Sequence, residues 1–205
     1  DDVRRRLQNG FIPAYIRNTL QLNNGDQSFS EVGRYSGIAA TDWSWGPLLA
    51  DFNNDGFRDL FVSNGFKKEI SNMDVSLTIN LASVEIEEKT KTISNEFRDL
   101  QRAKFLSAVE KMEEKKLVNY MFMNNGDLTF DKVSQEWGIK EPTFSNGVAY
   151  ADLDNDGDLD LLVHNINDPL FLYKNTLNDD PNTKQNFIRL NLVDDKGRIN
   201  VTGHQ

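Results

Sequence analysis

The stretch ADLDNDGDLDLLVHN, residues 151–165, places aspartate at 152, 154, 156, 158 and 160, then runs straight into Leu161, Leu162 and Val163. Alternate oxygens on a tight turn converge on one point, so this spacing gathers carboxylates. Like charges held that close repel one another, and a cation relieves the strain. The apolar run that follows is the pattern of a strand re-entering a core. The stretch therefore reads as half of an ion site attached to a buried strand.

A second copy lies 101 residues earlier, DFNNDGFRDLFVSNG at 51–65 against DLDNDGDLDLLVHNI at 152–166. The same offset joins LNNGDQSF at 22–29 to MNNGDLTF at 123–130, Gly37-Ile38 to Gly138-Ile139, and Gly46 to Gly147. After Asn165 the chain reads INDPLFLYKNT, and FLYKN at 171–175 resembles MFMNN at 121–125, which sets a unit of about 50 residues. Copy one then carries an extra block, residues 67–118. Each unit reads as short strands around the acidic loop, with an Asn-Gly hairpin signal at 23–26 and 124–127. Four short strands in such a unit are the size of a propeller blade. The expected fold is mainly β, a partial ring of propeller blades with an α-helical insertion between two of them.

The insertion differs in composition. SNEFRDLQRAKFLSAVEKMEEKKLVNYMF contains neither Gly nor Pro, and Phe97, Leu100, Leu106, Val109, Met112 and Leu117 recur at near-helical spacing. Ser94 is a candidate N-cap, and a second helix is expected over roughly 73–88, with Ser71 and Asp74 as a capping box. The expected division is 1–66 and 119–180 as blade segments, each with one acidic loop, 67–118 as the insertion, and 181–205 as the start of a further β domain.

Both loops fit D-x-[DN]-x-D-G-x-x-D. The candidate ligands are Asp51, Asn53, Asp55, Phe57 and Asp59 in one copy and Asp152, Asp154, Asp156, Asp158 and Asp160 in the other, with the seventh residue, Phe57 or Asp158, offering its backbone carbonyl. Gly56 and Gly157 permit the turn. An all-oxygen shell of flexible geometry suits calcium; magnesium demands tighter octahedral order. Zinc would use His or Cys, which the loops lack. An EF-hand needs Glu at its twelfth position and flanking helices, whereas here Val62 and Val163 occupy that position and strands flank the loop. About two calcium sites are expected, the one with Asn53 weaker.

With these residues the chain resembles the FG-GAP/VCBS repeat, the blade of integrin-α-like propellers. WSWGPLLADFNNDGFRDLFVSNG and SNGVAYADLDNDGDLDLLVHN carry the match. The wider pattern is similar to bacterial proteins of the cartilage-acidic-protein type that end in an ASPIC/UnbV domain, and NFIRLNLVDDKGRINVTG at 186–203 resembles the start of that domain. The resemblance implies export, to the periplasm, cell surface or extracellular space, and loops that brace blades without performing chemistry.

The formal net charge of −9 and pI near 4.8 argue against nucleic acid and anionic membranes as partners. Without cysteine, disulfides and thiolate chemistry are excluded, and no stretch is apolar enough to span a membrane. The chain reads as a piece of a longer protein. His164 and His204 are the two histidines, and His164 corresponds to Ser63, outside the repeated chemistry. There is no nucleophile elbow, phosphate loop or HExxH motif. Trp43 and Trp45 could stack on a sugar ring but read better as blade packing, and Asn200-Val201-Thr202 fits a glycosylation sequon. The expected function is a non-catalytic, calcium-stabilised module for protein or carbohydrate binding or adhesion. The alternatives are the propeller part of an exported hydrolase acting on polysaccharide or phosphoester, and a purely structural scaffold.

Overall fold

A computed structural model describes residues 17–67 and 114–180, together with scattered residues from 99 to 112 and residues 182 and 193. Eleven strands are described. They are β1 (Gln21–Asn23), β2 (Phe29–Glu31), β3 (Ser44–Ala50), β4 (Asp59–Asn64), β5 (Leu117–Val118), β6 (Tyr120–Asn124), β7 (Phe130–Lys132), β8 (Pro142–Thr143), β9 (Ser145–Ala151), β10 (Asp160–Asn165) and β11 (Phe171–Tyr173).

One sheet is complete as an antiparallel meander, β3-β4-β6-β7. Before it stands the hairpin β1-β2, and after it the three strands β9-β10-β11. Since β1-β2 repeats β6-β7 and β9-β10 repeats β3-β4, nine of the eleven described strands are the second half of one blade, a whole blade, and three strands of the next; the other two, β5 and β8, pair with each other. The protein is mainly β, consistent with propeller blades, and the described residues do not form a closed ring.

β4 explains why the blades stack. All six of its residues are buried, and strand side chains alternate between faces. Phe61, fully buried, joins Ala50, Phe52, Met121, Ile139, Leu161 and Val163 in the core against the following blade. Leu60 and Val62, on the opposite face, pack with Ile38 and Phe122, with Leu20 and Phe130 alongside, against the preceding one. A strand apolar on both faces is what a middle blade needs, and β9 accordingly lies beside β3 and β4. Gly65 permits the closest approach: a Cβ there would sit 2.6 Å from the Phe144 carbonyl carbon and closer still to the Ser145 nitrogen.

Two sequence expectations change. The unit spacing across the third strands is 51, because Asn175 occupies the place of Asn124: the Asn124 amide donates to Asp59 Oδ1 at 3.0 Å and the Asn175 amide to Asp160 Oδ1 at 2.9 Å. Side-chain similarity alone slips by one residue in such a short apolar strand. The extra block also lies inside a blade and not between two, because β4 pairs directly with β6 across it. A bridge between Phe66 and Lys115 closes its neck. Most of residues 67–118, including Ser94 and the weaker helix expected at 73–88, lie outside the described residues; Asp99, Arg102, Ala103, Leu106, Ser107, Val109 and Glu110 within it are helical. The domain start expected at 181–205 also lies outside them, apart from residues 182 and 193.

Candidate metal centre

Each acidic loop links the first and second strands of its blade, β3 to β4 and β9 to β10. Local chemistry shapes both alike. Asn54 and Asn155, at the fourth position, have φ of 57° and 65°, and Gly56 and Gly157, at the sixth, have φ of 90° and 94°. These left-handed conformations suit Asn and Gly. Early carboxylates cap the turn they sit on: Asp55 N donates to Asp51 Oδ1 at 3.1 Å, and Asp156 N to Asp152 Oδ1 at 3.1 Å.

In the second loop Asp152, Asp154 and Asp156 bring one oxygen each to within 4.8 Å of one another. This group could hold a metal ion. Two further observations fit one. Asp156 Oδ2 and Asp158 Oδ1 are buried and meet no donor among the described residues, a costly state for ionised oxygens. Asp158 is 1% exposed. Burial pushes its carboxyl up to about 6, and the neighbouring Asp156 carboxyl adds to that rise against the opposing hydrogen bond from the Asn178 amide. A cation beside these oxygens would remove the penalty.

The first loop is arranged differently. Asn53 Nδ2 donates to Asp55 Oδ2 at 2.8 Å and Gly56 N to Asp51 Oδ2 at 2.9 Å, while Phe57 N to Asp55 Oδ1 at 2.8 Å matches Asp158 N to Asp156 Oδ1 at 3.1 Å in the second loop. Internal donors satisfy these oxygens. The Phe57 ring lies over Gly126 of the neighbouring hairpin.

The ninth residues stand apart from the cluster. Asp59 and Asp160 are 0% and 2% exposed, and each uses both oxygens on backbone amides. Asp59 accepts from Phe52 and Asn124, both at 3.0 Å; Asp160 accepts from Leu153 at 3.0 Å and from Asn175. Burial raises the Asp59 carboxyl above its ordinary value, against those two amide bonds. Besides their place in the ligand spacing, these residues brace the loop and tie it to the third strand. Asp158 also does more than offer a carbonyl, since its Oδ2 accepts the Asn178 amide at 3.0 Å.

Sequence reasoning missed several members. Asn54 Nδ2 donates to the Gly157 carbonyl at 3.2 Å, and Asn175 Nδ2 to the Phe52 carbonyl at 2.7 Å, so each loop touches the other's blade. Alignment of Asn175 with Asn124 carries no signal for the second contact, because Asn124 Nδ2 donates to the Arg58 carbonyl of its own blade. Lys174 places its ammonium 3.0 Å from Asp154 Oδ2 and 2.7 Å from Asp179 Oδ1. It lowers the Asp154 carboxyl and is itself raised, by Asp179 first and Asp154 second. Its counterpart in the first unit is Met123, so the repeat carried no signal for it.

The aromatic and histidine candidates pack locally. Trp43 stacks on Phe66 with centroids 4.6 Å apart, Trp45 donates its indole N–H to the Gly65 carbonyl, and His164 meets Asn146 at 3.0 Å.

The FG-GAP-like repeat family matches residues 13–62 and 108–163, together just over half of the chain. The chain belongs to that family. The interval between the two FG-GAP-like matches, residues 63–107, covers most of the inserted block. No curated protein matches the chain. Among the described residues no helix is long and apolar enough to cross a membrane.

Proposed function

We propose that this chain is a calcium-stabilised, non-catalytic part of a propeller that binds a protein or carbohydrate ligand in an exported protein, in the periplasm, at the cell surface or outside the cell. FG-GAP-like repeats suggest a propeller-type binding module. The observation that carries the calcium reading is the second loop, where three converging carboxylates adjoin two buried oxygens without donors. An all-oxygen donor set on a flexible turn suits calcium better than magnesium or zinc. Calcium would hold the turn shut and fix the ends of β9 and β10; the loops brace, and binding falls to the blade rims. Affinity for such a site falls at about 10⁻⁶ to 10⁻³ M, the range of sensor and extracellular sites. Calorimetric titration of EDTA-stripped protein should show calcium binding that loses one event in Asp156→Ala. No calcium heat, with a melting curve indifferent to EDTA, would overturn the reading.

A further inference from the structure

We propose that Lys174 is a tethered counter-cation of the second acidic loop, competing with a bound metal for Asp154 and so setting the affinity of that loop. The inference rests on the calcium reading and adds to it a residue outside the loop motif.

Three observations carry it. Lys174 Nζ lies 3.0 Å from Asp154 Oδ2, and Asp154 is one of the three carboxylates whose oxygens converge. The backbone beside the lysine is fixed, because the Asn175 amide donates to Asp160 Oδ1 and its side chain to the Phe52 carbonyl. The lysine side chain is 48% exposed, and Asp179 Oδ1 at 2.7 Å gives the ammonium a second anchor. A metal entering the loop therefore takes Asp154 from Lys174 without stripping the lysine of every partner. The two cations meet at short range, where unlike-charge attraction and like-charge repulsion are large enough to shift affinity, and ligand charge tunes calcium sites over decades. The first unit supplies the contrast, with Met123 at this position and no cation there.

The test uses the whole chain with calcium as the probe. Wild type, Lys174→Met and Lys174→Arg are titrated by calorimetry and melted in EDTA and in excess calcium. Lys174→Met should bind calcium about tenfold more tightly at the second loop, from loss of one nearby unit charge, while Lys174→Arg stays near wild type. In EDTA the methionine variant should melt below wild type, since the acidic loop has lost its counter-charge; in excess calcium that deficit should disappear. Calcium binding by wild type with unchanged affinity in Lys174→Met overturns this inference alone. No calcium response in any of the three overturns the metal reading and this inference with it.

Discussion

Asp59 and Asp160 show how one residue type serves two purposes within nine positions. In the second loop Asp152, Asp154 and Asp156 face one another, while the ninth residue of each loop turns inward and accepts two amides. Replacing Asp59 with Asn keeps the volume but sets a donor against an amide. The expected loss is about 2–3 kcal/mol, the scale of charged hydrogen bonds and of a buried donor left unmet. Denaturant midpoints measured with calcium and with EDTA separate brace from ligand. An equal loss in both conditions marks a brace; a loss confined to calcium would make Asp59 a ligand. At this scale the sequence revealed residue type and spacing, and with them the turn conformations at Asn54, Gly56, Asn155 and Gly157. It could not show which way each carboxylate faces, because that depends on amides of Asn124 and Asn175, distant in sequence from their partners. Lys174 was hidden for the same reason.

At the scale of elements, alternation was legible and register was not. The apolar runs 60–62 and 161–163 fix two strands, β4 buried on both faces and β10 chiefly on one, with Leu162 half-buried and His164 exposed on the other, and the NNGD hairpins recur with the same caps, the Gly25 and Gly126 amides each donating to an Asn side chain at 2.9 Å. β11 is too short and too apolar to fix its own register, so the alignment of FLYKN slipped by one residue until hydrogen bonds to Asp160 settled it. The closest approach between blades is made by Gly65, which has no glycine counterpart in the repeat, where Ile166 stands. Gly65→Ala should drive a methyl into the Phe144–Ser145 backbone and cost about 1–3 kcal/mol, typical of overpacking. A thermal melt of the variant checks this; an unshifted midpoint would mean that the two blades move apart freely there.

For the whole molecule, the inserted block was visible from composition, but its place in the blade was not. Sequence order places it after one acidic loop and before the next hairpin, which reads as a gap between blades. Pairing of Leu60 with Phe122 and Val62 with Tyr120 places it at a turn within one. Forty-eight residues between Phe66 and Lys115 thus stand where a short hairpin turn would serve. Replacing 67–114 with an Asn-Gly turn should preserve the β signal in circular dichroism. It should also raise stability by about 2 kcal/mol from loop closure alone, on going from 48 residues to roughly four. Loss of cooperative unfolding would instead show that the block completes the core.

The interrupted blade also sets a timetable for biosynthesis. β4 leaves the ribosome with β3 already available on one edge, but its other neighbour, β6, begins 56 residues after Asn64. At about 5–20 residues per second, that edge waits roughly 3–11 seconds for its partner. Leu60, Phe61 and Val62 are the sort of segment that pairs with another copy when left open. The Glu- and Lys-rich stretch emerging next gives the nascent chain charge during that interval, so the most exposed moment in this protein's life precedes its finished fold.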